Sequence, residues 1–162
     1  MRKTLTTIAV IAVFFVFTSS NNAYDVAPKA GAFAPSFSFA DNERKVTLSN
    51  LRGEFVVVNF WSSHDAESRI RNVVYDRFAK EHAKTVDFIA INYDKEEMLY
   101  REIVKIDNLD SKTQFYDYDG FDSEISERYH LEQGFRSYLI NREGKIIAIN
   151  PDKRQLTKLI CQ

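Results

Sequence analysis

The chain has 162 residues, with 22 basic and 23 acidic side chains and a formal net charge of −1. No long block carries one sign of charge, so nucleic acid and acidic membrane surfaces are not the expected partners. A hydrophobic share of 44% is enough for one domain with a sizeable core. The single cysteine, Cys161, excludes a disulfide within the chain.

Residues 1–20 have the three-part pattern of a secretory signal peptide. Arg2 and Lys3 precede an apolar run, and small residues follow it, which predicts cleavage near residues 20–23. The apolar run is short for a membrane span, although an uncleaved N-terminal anchor is the alternative interpretation. The pattern predicts export to the periplasm, with membrane association only if the segment is retained.

The remaining sequence alternates between strand and helix patterns. Residues 21–34 predict a linker, and residues 35–162 predict one folded domain. Strands are predicted at 36–39, 45–48, 55–61, 86–92, 113–116, 137–141 and 145–150, with a short helical turn at 49–53. Helices are predicted at 66–84, 95–108, 123–130 and 156–160, with caps at Asp122 or Ser123 and at Asp152.

Two of these strands are continuously apolar, residues 55–61 and residues 86–92. This pattern is typical of central strands that are covered on both faces. A turn signal at residues 141–144 predicts a final hairpin, which makes one edge of the sheet antiparallel. The order of elements therefore predicts an α/β protein, a three-layer α/β/α sandwich around a central mixed sheet.

Four segments resemble the thioredoxin-like family of exported thiol-disulfide oxidoreductases and peroxiredoxin relatives. They are residues 31–37 (GAFAPSF), 46–53 (VTLSNLRG), 56–61 (VVVNFW) and 138–146 (YLINREGKI). The resemblance covers about residues 30–160. It implies a thioredoxin fold with an N-terminal β-hairpin extension.

The resemblance also shows where the family chemistry is missing. The cysteines of the family's Trp-x-x-x-Cys-x-x-Cys loop fall on Asp65 and Ser68. Disulfide exchange needs an attacking thiolate and a second thiol that resolves the mixed disulfide, so no catalytic residue, cofactor or metal is predicted. The family's cis-proline position falls on Phe135 or Arg136, where a trans bond is expected because a non-proline cis bond costs roughly 2.5–4 kcal/mol. Asn59 replaces the titratable acid of classical thioredoxins.

The polar loop that contains His64, Asp65 and Ser68 has three interpretations. A hydrolytic triad is disfavoured because the adjacent side chains of His64 and Asp65 point apart. A metal site is disfavoured because paired histidines and thiolates are missing. The favoured interpretation is that Asp65 or Ser68 caps the following helix.

The resulting hypothesis is a non-catalytic module that binds a periplasmic protein or peptide through the former active-site face. Aromatic and arginine side chains are enriched at interaction hot spots, and in the family the tryptophan flanks the substrate groove. The candidate binding residues are Trp61, Ser63, His64, Asp65, Gly134, Phe135 and Arg136.

The alternative hypothesis is a thiol-dependent antioxidant or thiol-disulfide protein that acts through Cys161 or a partner. The favoured interpretation of Cys161 itself is a small apolar residue on the face of the last helix. The other interpretation is a thiol that forms an intermolecular disulfide. His82 and His130 are predicted to be partly exposed surface residues.

Overall fold

The computed structural model describes residues 26–40 and 44–161, so the predicted signal peptide lies outside the described residues. The strands are β1 Ser38–Ala40, β2 Lys45–Thr47, β3 Phe55–Trp61, β4 Val86–Asn92, β5 Gln114–Tyr116, β6 Ser137–Ile140 and β7 Ile146–Ile149. The helices are α1 Ala66–Glu81, α2 Glu97–Ile106, α3 Glu124–Tyr129 and α4 Lys153–Ile160, with short 3₁₀ turns at Leu48–Leu51, Gly120–Asp122 and Leu131–Gln133. None of the helices in these two ranges has both the length and the apolar composition needed to cross a membrane.

The main sheet has five strands in the order β5-β4-β3-β6-β7. The strands β3, β4 and β5 are parallel, whereas β6 and β7 are antiparallel to their neighbours. The prediction of a mixed sheet with two central apolar strands is therefore confirmed. The strands β1 and β2 form a separate antiparallel hairpin, with Ser38 opposite Thr47.

The alternation of side chains along β3 separates two hydrophobic cores. Val56, Val58 and Phe60 face β1, β2 and α3, whereas Val57 and Trp61 face α1, α2 and α4. Successive residues of a strand point to opposite faces of the sheet, so a strand that is apolar at nearly every position requires cover on both sides. The result is the predicted three-layer arrangement, in which the hairpin belongs to the same layer as α3.

Side-chain caps fix where two of the helices begin. Asp152 forms a capping box with Gln155, since its carboxylate accepts from the Gln155 N–H at 2.7 Å and its own N–H donates to the Gln155 side chain at 3.1 Å. The helix α4 therefore begins at Lys153, three residues before its predicted start. The Ser123 hydroxyl accepts from the Ser126 N–H at 3.1 Å, which confirms a predicted cap of α3.

The last part of the predicted linker is hydrogen-bonded to the domain. The Gly31 N–H donates to the Ile146 carbonyl at 2.8 Å, and the Ala34 N–H donates to the Gly144 carbonyl at 3.0 Å. Phe33 also forms an isolated bridge with Lys145. These bonds cover part of the outer edge of β7, where unpaired backbone groups would otherwise face solvent.

Candidate functional site

The loop between β3 and α1 lies at the carboxyl edge of the parallel strands and contains the predicted site residues. Asp65 is the N-cap of α1, and its carboxylate accepts from the Ser68 N–H at 2.7 Å. The Ser68 hydroxyl donates to the Asp65 carbonyl at 3.1 Å and is part of a fully buried residue. The capping prediction is confirmed, and both polar groups are used to start the helix.

A buried carboxylate that sequence reasoning missed holds the first half of this loop. Asp94 follows β4, and one of its oxygens accepts from the Ser62 hydroxyl at 2.6 Å, the Ser63 N–H at 2.8 Å and the Ser63 hydroxyl at 3.0 Å. The Asn92 side chain donates to its other oxygen at 3.1 Å. The position of Asp94 in the sequence could have indicated this role, because a polar residue just after one parallel strand lies close to the loop that follows the neighbouring strand.

His64 is the exposed member of the loop. Its side chain is 75% exposed, and its Nδ1 atom lies 3.5 Å from an Asp94 oxygen and 3.3 Å from the Ser63 hydroxyl. In a hydrolytic triad the acid and the nucleophile contact opposite ring nitrogens, whereas here both contact Nδ1. The geometry therefore does not fit the general base of a hydrolytic triad, and the imidazole of His64 is exposed to solvent. Within the described ranges no three His, Cys, Asp or Glu residues are grouped to hold a metal ion.

A buried amide network lies beneath the loop and joins four elements. The Asn59 side chain accepts from the Ser137 hydroxyl at 2.7 Å and donates to the Asn72 side chain at 3.3 Å. Asn72 in turn donates to Gln114 at 2.9 Å. All four residues have zero exposure. This network of neutral groups holds α1 on the sheet. Asn59 therefore orients its neighbours and does not act as a proton carrier.

The segment before β6 lies at the same edge of the sheet as the loop. The Phe60 N–H donates to the Arg136 carbonyl at 3.2 Å, and Arg71 of α1 donates to the Phe135 carbonyl at 3.1 Å. The described residues contain no cis peptide bond, which agrees with the trans bond expected there. Gly134 is exposed, whereas Phe135 and Arg136 are partly buried.

Three aromatic rings connect this segment to the end of β4. The ring centroid of Tyr93 lies 5.6 Å from that of Phe121 and 6.0 Å from that of Phe135, and Phe121 and Phe135 are 6.0 Å apart. The Tyr93 hydroxyl donates to Asp117 at 2.7 Å, and burial raises the pKa of Tyr93 far above its usual range. Phe121 is 54% exposed, so it presents an aromatic face to solvent. Phe121 was not among the predicted site residues. An aromatic residue within a polar turn could have indicated that its ring is exposed.

Trp61, one of the predicted candidate binding residues, does not belong to this surface. Its side chain has zero exposure and packs against Tyr100 of α2, with ring centroids 6.2 Å apart. The cause is strand alternation, because Trp61 and Val57 point to the face that α2 covers. The candidate face is therefore defined by Ser63, His64, Asp65, Gly134, Phe135 and Arg136 together with Phe121.

Cys161 was interpreted as a small apolar residue on the face of the last helix, but the structure shows that it is exposed. The helix α4 buries Leu156 and Ile160, and Cys161 follows as its C-cap. No residue of α4 belongs to the loop described above. His82 and His130 are partly buried, as predicted for surface residues.

A central mixed sheet between two outer layers, with a polar loop where a central strand enters a helix, defines a thioredoxin fold. The chain belongs to the Redoxin family, whose model matches residues 29–157. A thioredoxin-like protein from Parabacteroides distasonis is 35% identical, with a TM-score of 0.75, and the alignment covers 84% of this chain and 97% of that chain.

Two further relatives carry names from thiol-disulfide chemistry. A thiol-disulfide oxidoreductase from Bacteroides fragilis is 26% identical with a TM-score of 0.66, over 79% of this chain and 96% of that chain. The thiol-disulfide oxidoreductase ResA of Bacillus subtilis is 25% identical over 122 residues, which is 74% of this chain. The chain spans 65% of the length of that curated relative.

Proposed function

We propose that this protein is an exported, non-catalytic binding module that uses the former active-site face of a thioredoxin fold. The proposal rests on the role of Asp65 and Ser68 in the helix cap. The resemblance places these residues where the family has its thiols, and both are engaged in capping α1. The one cysteine of the 162 residues ends a different helix. The signal-peptide pattern of residues 1–20 supports export.

The candidate face offers a shape suited to a peptide or protein segment. His64 is exposed on a loop that Asp94 holds in place, and Phe121 is exposed above the buried ring of Tyr93. A rigid aromatic surface beside donors and acceptors is a common arrangement at binding hot spots. Because Asp94 and the amide network fix the loop, little ordering entropy would be lost on binding.

An insulin-reduction assay with dithiothreitol tests the absence of thiol-disulfide exchange. We expect the purified protein to match a heat-inactivated sample, while an enzyme with a Cys-x-x-Cys loop gives clear turnover. A rate above the heat-inactivated sample that persists in the Cys161→Ser variant would overturn this half of the proposal.

Capture from a periplasmic extract tests the binding half. The paired variant His64→Ala with Phe121→Ala removes two exposed side chains of the candidate face. The matched control, Arg77→Ala with Lys84→Ala, removes two exposed side chains elsewhere. We expect a specific band that the wild type and the control retain and the first variant loses. Equal capture by all three proteins would contradict the assigned face.

The exposure of Cys161 supports a second candidate function, a thiol-dependent antioxidant. In that case the thiolate would reduce hydrogen peroxide to water and become a sulfenic acid, which an external thiol would reduce. The measurement is peroxide consumption in the presence of dithiothreitol by the wild type and by Cys161→Ser. A rate that depends on Cys161 would favour this candidate, and equal rates would eliminate it.

A further inference from the structure

The first half of β4 has no neighbouring strand on its outer side. On one side β3 pairs with β4 along its whole length, from Phe55 opposite Val86 to Trp61 opposite Asn92. On the other side β5 pairs only with Ala90, Ile91 and Asn92. Within the described residues, the part of β4 from 86 to 89 therefore has no strand on its outer side.

The backbone of Phe88 faces this open edge. The Ala90 N–H donates to the Thr113 carbonyl at 2.8 Å, on the β5 side. Backbone groups of a strand alternate in direction with a period of two, so the N–H and carbonyl of Phe88 point the same way. The neighbouring loop does not meet them, since the Thr113 N–H donates to Asp110 instead. Such a pair of groups is a template for an additional strand.

A cleft of about 470 Å³ lies along this edge. Its floor is formed by residues 86–89. Val46 and Leu51 of the hairpin layer line one side, and Ala79 of α1 with Ala83 of the following turn line the other; Asp110, Lys112 and Thr113 of the loop before β5 also line the cleft. The Val86 N–H on the same side of the strand donates to the His82 carbonyl at 3.2 Å, so the opening lies at Phe88, between this turn and the loop 110–113, where the cleft has room for a short extended segment.

The charges in the cleft leave an acidic excess at Asp87. Asp76 and Lys80 form an ion pair at 2.6 Å, and Asp110 accepts from the Lys112 N–H at 3.0 Å. The Lys112 side chain is the other cation at the cleft. Within the described residues Asp87 has no ion-pair or hydrogen-bond partner.

Partial burial and the nearby charge of Glu54 raise the pKa of Asp87. A cation placed beside this carboxylate would offset both effects, because an opposite charge favours the ionised form.

We propose that this cleft binds an extended peptide segment that carries a lysine or arginine. The segment adds to β4 by hydrogen bonds with the N–H and carbonyl of Phe88, and its basic side chain lies beside Asp87. This mode supplies affinity from the backbone and selectivity from alternate side chains. The site lies at the amino end of the parallel strands, opposite the loop of residues 62–65, so it is independent of the function proposed above.

Nuclear magnetic resonance of the ¹⁵N-labelled protein tests this proposal with the peptide acetyl-Ser-Val-Lys-Val-Ser-amide. We expect the largest amide shifts at residues 86–89 and at least a tenfold slowing of deuterium exchange at the Phe88 amide. The same peptide N-methylated at its three central residues lacks the central backbone donors and cannot approach the strand edge closely, so it should not bind. A version with glutamate in place of lysine should bind at least threefold more weakly.

Asp87→Asn should weaken binding of the lysine peptide about threefold to tenfold, while the matched exposed variant Asp119→Asn should leave it unchanged. The N-methylated peptide tests the wild type directly, so the proposal does not depend on the folding of a variant. Equal binding of the N-methylated peptide, shifts centred on residues 62–65 or 134–136, or no shift at several millimolar peptide would each overturn the proposal.

Discussion

The loop that follows β3 should lose its anchor when Asp94 is replaced by alanine. Three hydrogen bonds from Ser62 and Ser63 end on one Asp94 oxygen, at 2.6, 2.8 and 3.0 Å, and the carboxylate is fully buried. A hydrogen bond to a charged group contributes about 1.5–3 kcal/mol, and a buried donor left without a partner costs about 1–3 kcal/mol. Removal also relieves the cost of burying a charge. We therefore expect Asp94→Ala to lower the free energy of unfolding by about 3 kcal/mol.

Urea denaturation followed by circular dichroism measures this change. The matched control Asp119→Ala removes an exposed carboxylate that makes no cap bond, and it should shift stability by less than about 0.5 kcal/mol. A double-mutant cycle with Ser62→Ala should give a coupling energy above about 1 kcal/mol, because the two side chains share one bond. A loss below about 1 kcal/mol for Asp94→Ala, or additive single variants, would refute the assignment of Asp94 as the anchor of the loop.

Three further outcomes follow from burial and exposure. Asn72→Ala should lower the free energy of unfolding by about 2–4 kcal/mol, because it leaves Asn59 and Gln114 without their buried partner, whereas the exposed Asn50→Ala should change it little in the same urea titration. Burial raises the pKa of Tyr93 and Tyr129 above the ordinary value near 10, so the unfolded state releases these protons first as the pH rises. Stability should hold below about pH 10 and then fall by about 1.4 kcal/mol per pH unit for each such tyrosine; a urea midpoint that stays constant to pH 11.5 would contradict this. Native Cys161 should react with iodoacetamide within about tenfold of its rate in urea, because it is exposed, and strong protection in the native state would show that the thiol is covered.

The fold could be predicted because its main signals are local in the sequence. The runs 55–61 and 86–92 are continuous, apolar and of strand length, and both are found as β3 and β4 with the predicted bounds. The cap at Asp65 was also local, since its partner Ser68 is three residues away. Helix ends were less accurate, because the limits of α2 depend on tertiary packing as well as on periodicity.

The site was harder to predict because its contacts join distant segments. Asp94 is 31 residues from Ser63, and no short-range pattern connects them. The three rings of Tyr93, Phe121 and Phe135 come from separate segments of the chain and meet only in the folded protein. Trp61 was included among the candidate binding residues because the resemblance carries no information on how closely α2 covers β3.

The burial of Trp61 determines how this protein can be observed by fluorescence. It is the only tryptophan in the chain and is enclosed by α2 and the sheet. Its emission should therefore be blue-shifted and resistant to quenching by iodide, and it should report whether α2 is docked. Ligands at His64 or at Phe88 would leave that signal nearly unchanged, so an extrinsic dye is the suitable reporter for either site.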